Sequence, residues 1–176
     1  SAGQEISPGV WQVPRSAFED GSLAIRPPAD SDADFQLRVV ATTLDSGGGV
    51  ASQHSTTATL DVTVRAVADA PQVTAAAAAG LEDGAIALDL SAALTDLDGS
   101  ETLAVSLLGV PAGATLSAGS RQADGSWSLT PGQLAGLTLT PPADFSGTLG
   151  LTLRATAADH DGSTATSTAP FTVTIG

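Results

Sequence analysis

Large apolar residues and polar or small residues alternate along most of this chain. The period of two is clear over 86–90, 149–153 and 171–175, where every second residue is a large apolar one. Because successive side chains of a β-strand point to opposite faces, each run predicts a strand with one face on a core. Thr is frequent at the polar positions, where a β-branched side chain suits a half-exposed pleated surface. The pattern therefore predicts an all-β fold.

Short turn signals separate these runs and favour a β-sandwich over a βαβ arrangement. The signals are Asp98-Gly99, Asp124-Gly125, Asp161-Gly162 and the pair Pro141-Pro142. From residue 68 onward we predict seven strands, A to G, at about 71–78, 85–92, 102–108, 114–119, 126–130 together with 136–140, 148–157 and 166–175. If the strands alternate in direction, the B–C and F–G loops lie together at the end where the chain comes in, which we call the linker end. The A–B and E–F loops then lie at the far end.

The chain also repeats itself, since residues 117–176 match residues 1–67 with their turn residues. Trp127 corresponds to Trp11, and residues 141–144 have the same sequence, Pro-Pro-Ala-Asp, as residues 27–30. The following strand pairs Leu149, Leu151, Leu153 and Ala155 with Phe35, Leu37, Val39 and Ala41. Tandem copies of one β-rich module are typical of proteins selected for length and spacing.

We predict one complete immunoglobulin-like or cadherin-like sandwich at 68–176 and the C-terminal part of another at 1–67, joined by a linker at about 66–71. The front copy has no counterpart of 68–116, so half of its core lacks a cover. Either the chain is a cut piece of a longer array, which we favour, or a second polypeptide supplies the missing strands.

Composition narrows the choice of partners. The 176 residues include 19 acidic and 6 basic ones, which gives a formal charge of −13. This charge argues against nucleic acid and against an anionic membrane surface as partners. No stretch approaches the ~20 apolar residues of a membrane helix, so we expect no membrane insertion. The chain has no Cys and can form neither a disulfide nor a thiolate metal site, which fits an exported protein.

Acidic residues gather in the loops predicted at the linker end. The B–C loop reads Thr-Asp-Leu-Asp-Gly-Ser-Glu over 95–101, and the F–G loop reads Asp-His-Asp-Gly over 159–162. Ca²⁺ takes six to eight oxygen ligands, and an Asp-x-Asp-Gly turn offers two carboxylates on one side of a tight loop. We predict a Ca²⁺ site where these loops, the linker and the far end of the first copy meet. The candidate ligands are Asp69, Asp96, Asp98, Glu101, Asp159, Asp161, Asp30 and Asp32. The alternative is a set of ordinary Asp-Gly turns without an ion.

Other chemistry-bearing residues form no known motif. His54 and His160 lack motif spacing, and we interpret His160 as a solvated loop residue. The sequence contains no nucleophile elbow, zinc-binding helix motif or phosphate loop, so we expect no enzyme. Since Trp11 and Trp127 occupy matched positions, we predict a shared packing role for them rather than stacking on sugars. Gly47-Gly48-Gly49 is interpreted as the tip of a hairpin in the first copy.

Three segments in order, 81–88, 93–103 and 109–114, resemble the repeats of giant bacterial type I-secreted, RTX-type adhesins, which carry cadherin-like or immunoglobulin-like extender modules. Segments 141–147 and 159–165 continue the resemblance over all of 68–176, and it extends more loosely to 1–67. The resemblance implies sandwiches that bind Ca²⁺ near their junctions and hold a distal ligand-binding domain away from the cell. The chain departs from the family in lacking its glycine-rich nonapeptide repeats, and 45–49 replaces the Asp-x-Asp-Gly turn in the first copy.

Residues and resemblance together predict a non-enzymatic extender segment of a bacterial cell-surface adhesin, outside the cell. Ca²⁺ at the junction would stiffen the array and position distal domains for attachment or biofilm formation. The partners would be neighbouring repeats of the same chain. The alternative is a glycan- or peptide-binding module of the same adhesin, although only 3% of the residues are aromatic.

Overall fold

The computed structural model describes residues 3–45 and 52–176, and the chain divides into two compact units between Ser31 and Asp32. In the first unit, β1 (Gln4–Ser7) and β2 (Val10–Gln12) form an antiparallel hairpin, and the short helix α1 (Arg15–Glu19) follows. The hairpin tip predicted at Gly47-Gly48-Gly49 lies outside the described residues.

The second unit begins with a long hairpin of two strands, β3 (Phe35–Asp45) and β4 (Ser52–Val62). The antiparallel register places Phe35 opposite Val62 and Leu37 opposite Leu60. Directly opposed residues lie on the same face of a hairpin, so the apolar half of the alternating pattern shares one face.

Eleven further strands follow in the second unit. They are β5 (Gln72–Ala75), β6 (Ala78–Gly80), β7 (Ile86–Ala87), β8 (Leu90–Ala93), β9 (Glu101–Leu108), β10 (Thr115–Leu116), β11 (Ser120–Arg121), β12 (Trp127–Leu129), β13 (Thr138–Thr140), β14 (Gly147–Asp159) and β15 (Thr164–Ile175). One sheet has the order β11-β12-β9-β14-β15-β6, and the opposing layer consists of β10-β13-β7 and β5-β8. The inward residues of both layers form one core, in which Leu107, Leu139, Leu153 and Val173 have no exposed surface. The all-β sandwich prediction is confirmed.

The predicted strand A is divided between the two layers. Its first half, β5, pairs antiparallel with β8, and its second half, β6, pairs parallel with β15. The chain crosses from one sheet to the other at Ala76 and Ala77, between β5 and β6. Close approach requires glycine at the end of β6, because a Cβ atom at Gly80 would lie 2.4 Å from Ile86 Cγ1.

The predicted E strand is also two strands in different sheets. β12 pairs with β9, whereas β13 pairs with β10 and β7. Between them lies a 3₁₀ turn, Pro131–Gln133, whose capping box joins the Thr130 N–H to Gln133 Oε1 at 2.8 Å. This turn carries the chain from one layer to the other, so the two segments predicted together as the E region belong to different sheets.

Candidate metal centre

The linker end of the sandwich is fixed by the register of its two central strands. Asp159, the last residue of β14, lies opposite Glu101, the first residue of β9. Antiparallel pairing therefore brings the loop before β9 and the loop after β14 to one end, as the alternation of strands predicts. Gln72 of β5 lies opposite Ala93 of β8, which places the start of the module at this end too.

The linker is held against both loops by hydrogen bonds. The Ala68 N–H donates to Ser163 Oγ at 3.0 Å, and the Asp69 N–H donates to Glu101 Oε1 at 2.6 Å. The Thr95 hydroxyl donates to the Ala70 carbonyl at 3.0 Å. Three consecutive linker residues are thus tied to the loops on either side.

Within each loop, aspartate side chains accept backbone N–H groups two residues ahead. Asp96 Oδ1 accepts from the Asp98 N–H at 2.8 Å, and Asp161 Oδ1 accepts from the Ser163 N–H at 2.7 Å. The bond from the Ser163 backbone is the main cause that lowers the pKa of Asp161, since it stabilises the carboxylate form. These Asx-type bonds hold the loops in a tight, charged conformation.

Three carboxylates at this end are almost fully buried: Asp96 is 6%, Glu101 8% and Asp159 7% exposed. Burying a carboxylate is costly unless hydrogen bonds or opposite charges compensate. In the part of the chain that the structure describes, no arginine forms an ion pair with any of the three. Glu101 Oε2 is buried and has no hydrogen-bond partner. A buried carboxylate oxygen without a protein partner can be satisfied by an ordered water or by a cation.

Asp159 also belongs to a cluster with Asp32 and His160. His160 Nδ1 lies 2.8 Å from Asp159 Oδ1 and 3.2 Å from Asp32 Oδ2. One ligand atom from each of the three residues falls within 4.8 Å of the others. Asp32, which precedes β3, is therefore brought to the loop that follows β14.

The predicted ligands divide by environment. Asp32, Asp96, Glu101 and Asp159 are buried or half-buried at the linker end, and oxygens of hard carboxylates suit Ca²⁺. Among the described residues, Asp32 and Asp159 share a cluster with His160, whereas Asp96 and Glu101 belong to no such group. Glu101 lies opposite Asp159 across the β9–β14 pair and has an unpaired buried oxygen, so this pair of carboxylates fits a divalent ion.

The other predicted ligands are exposed. Asp98 and Asp161 accept backbone N–H groups of their own loops, and Asp69 meets Glu101 through its backbone. Asp30 belongs to the first unit and has a left-handed φ of 60°, like its counterpart Asp144 at 57°. Their role as ligands stays a prediction.

The His160 side chain is 65% exposed, as expected of a solvated loop residue, but its place in the cluster was not predicted. Its imidazole contacts two carboxylates, one of them distant in sequence. The sequence signal for this role was the position of His160 between Asp159 and Asp161, which places its ring beside a neighbouring carboxylate. Its contact with Asp32 depends on the path of the chain across more than a hundred residues, which no local pattern contains.

The two-layer sandwich with its tethered linker defines the class of immunoglobulin-like repeat modules. A family model described as "Bacterial Ig domain" matches residues 68–174, and the chain belongs to that family. Domains of this class are typically non-enzymatic structural modules, and membership fits an extracellular or surface protein. Among the residues with described coordinates, no helix is long and apolar enough to cross a membrane.

A solved structure, "Protocadherin Gamma B2 extracellular cadherin domains 3-6", is similar to this chain at 19% identity with a TM-score of 0.39. The similarity covers 80% of this chain and 32% of that one, so this chain spans about a third of the length of the solved chain. The comparison with curated proteins gives no match.

Proposed function

We propose that this chain is an extender segment of a bacterial cell-surface adhesin, and that Ca²⁺ bound at the linker end of the complete module stiffens the linker. The supporting observation is that the two carboxylate oxygens of Glu101 have different surroundings. Glu101 Oε1 accepts the backbone N–H of Asp69 in the linker, while Oε2 is buried and unpaired. An ion on Oε2 would fix the carboxylate that holds the linker.

The charges at this end explain why an ion would change the linker's stiffness. Glu101 and Asp159 lie directly opposite each other across the β9–β14 pair, and like charges at opposed positions destabilise a sheet. Both side chains are shielded from water, so solvent relieves little of this repulsion. A divalent ion would replace repulsion by attraction, and the free energy of binding would become free energy of ordering.

Calorimetric titration of Ca²⁺ into chelator-treated protein tests this proposal. We expect saturable binding and a rise in melting temperature, since ligand at about 100 times Kd adds about 2.7 kcal/mol to the free energy of unfolding. Glu101→Gln keeps the side-chain shape and an acceptor for the Asp69 N–H but removes the charge, so it should weaken binding by about tenfold or more. Glu82→Gln, at the far-end turn, is the matched control and should bind like the wild type. Absence of binding heat together with unchanged melting curves would contradict the proposal.

His160 supports a second candidate, a transition metal held by the cluster of Asp32, Asp159 and His160 at the same end of the sandwich. Imidazole is a good ligand for Zn²⁺ and a poor one for Ca²⁺. The position of Nδ1 beside Asp32 and Asp159 would suit a two-carboxylate, one-histidine set. Titration of Zn²⁺ into His160→Ala distinguishes the two: loss of Zn²⁺ binding with Ca²⁺ binding retained assigns the imidazole to Zn²⁺ alone.

The glycan-binding alternative has support at only one of the two tryptophans. Trp127 lies in the core, where it cannot stack on a sugar, whereas Trp11 is 53% exposed. The matched residue of the repeat is thus a core residue, and one exposed tryptophan in a chain with 3% aromatic residues is weak support for a sugar site. We therefore retain the extender function.

A further inference from the structure

The β3–β4 hairpin has the sequence of a sandwich interior but leaves its apolar face open. In the repeat, Leu60 of β4 corresponds to Phe171 of β15, yet Leu60 is 55% exposed and Phe171 only 7%. Likewise Val39 of β3 is half-buried, whereas its counterpart Leu153 in β14 is completely buried. The same pattern of side chains is therefore covered in one copy and uncovered in the other.

The complete copy shows what covers this face. There β14 lies between β15 and β9, and β9 pairs with it over eight residues, from Asp159 opposite Glu101 to Thr152 opposite Leu108. Within residues 3–45 and 52–176, β3 pairs with β4 and with no other strand. The edge that β14 gives to β9 is thus open on β3. Open strand edges are templates for added strands.

We propose that the outer edge of β3 accepts an extended segment of the β9 type, supplied by a polypeptide outside these 176 residues. The spacing of 114 residues between matched positions of β3 and β14, such as Val39 and Leu153, sets the register. A residue like Leu107 would lie opposite Val39, and one like Val105 opposite Ala41. Backbone hydrogen bonds would give affinity, and the alternate side chains would give specificity by packing on the apolar face.

The hairpin is already fixed in the geometry that an added strand needs. On its opposite face, Gln36 Nε2 donates to Asp61 Oδ1 at 2.6 Å, and the hydroxyls of Thr42 and Ser55 are 3.0 Å apart. These cross-strand pairs hold the register from the polar side. The apolar side is therefore presented by an ordered pair of strands, and its pairing partner need not build the hairpin.

The charge of the chain favours a β9-type partner over a second copy of the chain. Two copies would each bring a formal charge of −13 to the contact. The segment 101–108 contains one acidic residue, at its first position, and no basic residue. Repulsion between two strongly acidic molecules disfavours their close association, whereas a nearly neutral strand meets little opposition.

Fluorescence anisotropy with a labelled peptide of residues 101–108 and the full chain tests the proposal. We expect saturable binding and slower amide hydrogen exchange over 37–43, both with Ca²⁺ and with chelator. Val39→Asp should weaken binding by about tenfold or more, because it places a charge on the face that the peptide covers. Val40→Asp, the same change one residue along on the opposite face, should leave the affinity unchanged. Far-UV circular dichroism checks that both variants keep the fold, since neither residue belongs to the sandwich core.

Three results would overturn the proposal. The first is the absence of binding to the wild-type chain, and the second is equal affinity for both aspartate variants. The third is protection over β14 instead of β3, which would mean that the peptide exchanges with β9 in the complete module. Sedimentation of the chain alone tests whether a second copy occupies the edge of β3. A dimer that Val39→Asp dissociates would identify a second copy as the partner and contradict the proposal. None of these outcomes depends on a metal, so failure here leaves the proposed Ca²⁺ site standing.

Discussion

At the scale of single residues, Glu101 has two oxygens in different situations. Oε1 holds the linker through the Asp69 N–H, and Oε2 is buried without a partner. The sequence points to Glu101, Asp96 and Asp159 because acids in two loops that antiparallel strands bring together are expected to converge. It could not tell these three from Asp98 and Asp161, since burial depends on how each loop folds over the sandwich end.

The first prediction concerns the sign of a stability change. In chelator, Glu101→Gln should raise the free energy of unfolding by about 1–3 kcal/mol, because it removes a buried and incompletely compensated charge. In saturating Ca²⁺ the same substitution should lower it, because the ion loses a ligand. Urea unfolding under both conditions measures the two values, with Glu82→Gln as the control. A substitution that shifts stability in the same direction with and without Ca²⁺ would argue against an ion on Glu101.

The second prediction concerns pH and lies away from the linker end, in the turn between β11 and β12. The Ser126 hydroxyl and backbone N–H both donate to Asp124 Oδ1, at 2.7 and 3.0 Å, and these bonds lower the pKa of Asp124. A lowered pKa in the folded state means that the contribution to stability is complete above the unfolded value of about 3.9 and is lost as pH falls through the folded value. The stability difference between wild type and Asp124→Ala should therefore be constant from neutral pH down to about pH 5 and shrink below about pH 4. A difference that stays constant through the acid range would show that the charge of Asp124 does not contribute.

At the scale of elements, alternation predicted most strands but not their partners. The predicted F and G strands became β14 and β15 with nearly the same limits, because long alternating runs have only one way to face the core. The predicted A and E strands were each divided between the two layers. Such a change of sheet depends on which neighbouring strand has a free edge. The alternation of apolar and polar residues carries no information on that.

The third prediction compares matched positions in the two hairpins. Leu153→Ala removes a completely buried side chain from β14 and should cost about 2–5 kcal/mol. Val39→Ala in β3 should cost less than about 1 kcal/mol, because the face around Val39 is open in the chain alone. Chemical denaturation monitored at Trp127 measures the first. Hydrogen exchange over β3 and β4 measures the second.

Equal costs at the two positions would mean that the face of β3 is covered within the 176 residues. With the β9-type peptide bound, we expect the cost of Val39→Ala to rise toward that of Leu153→Ala. The cost should rise because an added strand would bury the face of β3 on which Val39 lies.

At the scale of the whole molecule, the charge of −13 and the linker are the features on which the proposed spacer role depends. Net acidity keeps neighbouring molecules apart and gathers divalent cations. The sequence indicated an array module through its internal repeat and through its order of motifs, and the bacterial Ig domain match over 68–174 agrees with it. The adhesin type and the biofilm role stay predictions, because neither the fold nor the family match specifies them.

The most direct test of the central claim is hydrogen exchange of the linker amides with and without Ca²⁺. The Ala68 and Asp69 N–H groups donate to Ser163 and Glu101, so they report on whether the linker is held. The account predicts that Ca²⁺ slows exchange of the peptide covering 66–71 by at least about tenfold in the wild type and has no such effect in Glu101→Gln. Identical linker exchange in Ca²⁺ and in chelator would contradict the account.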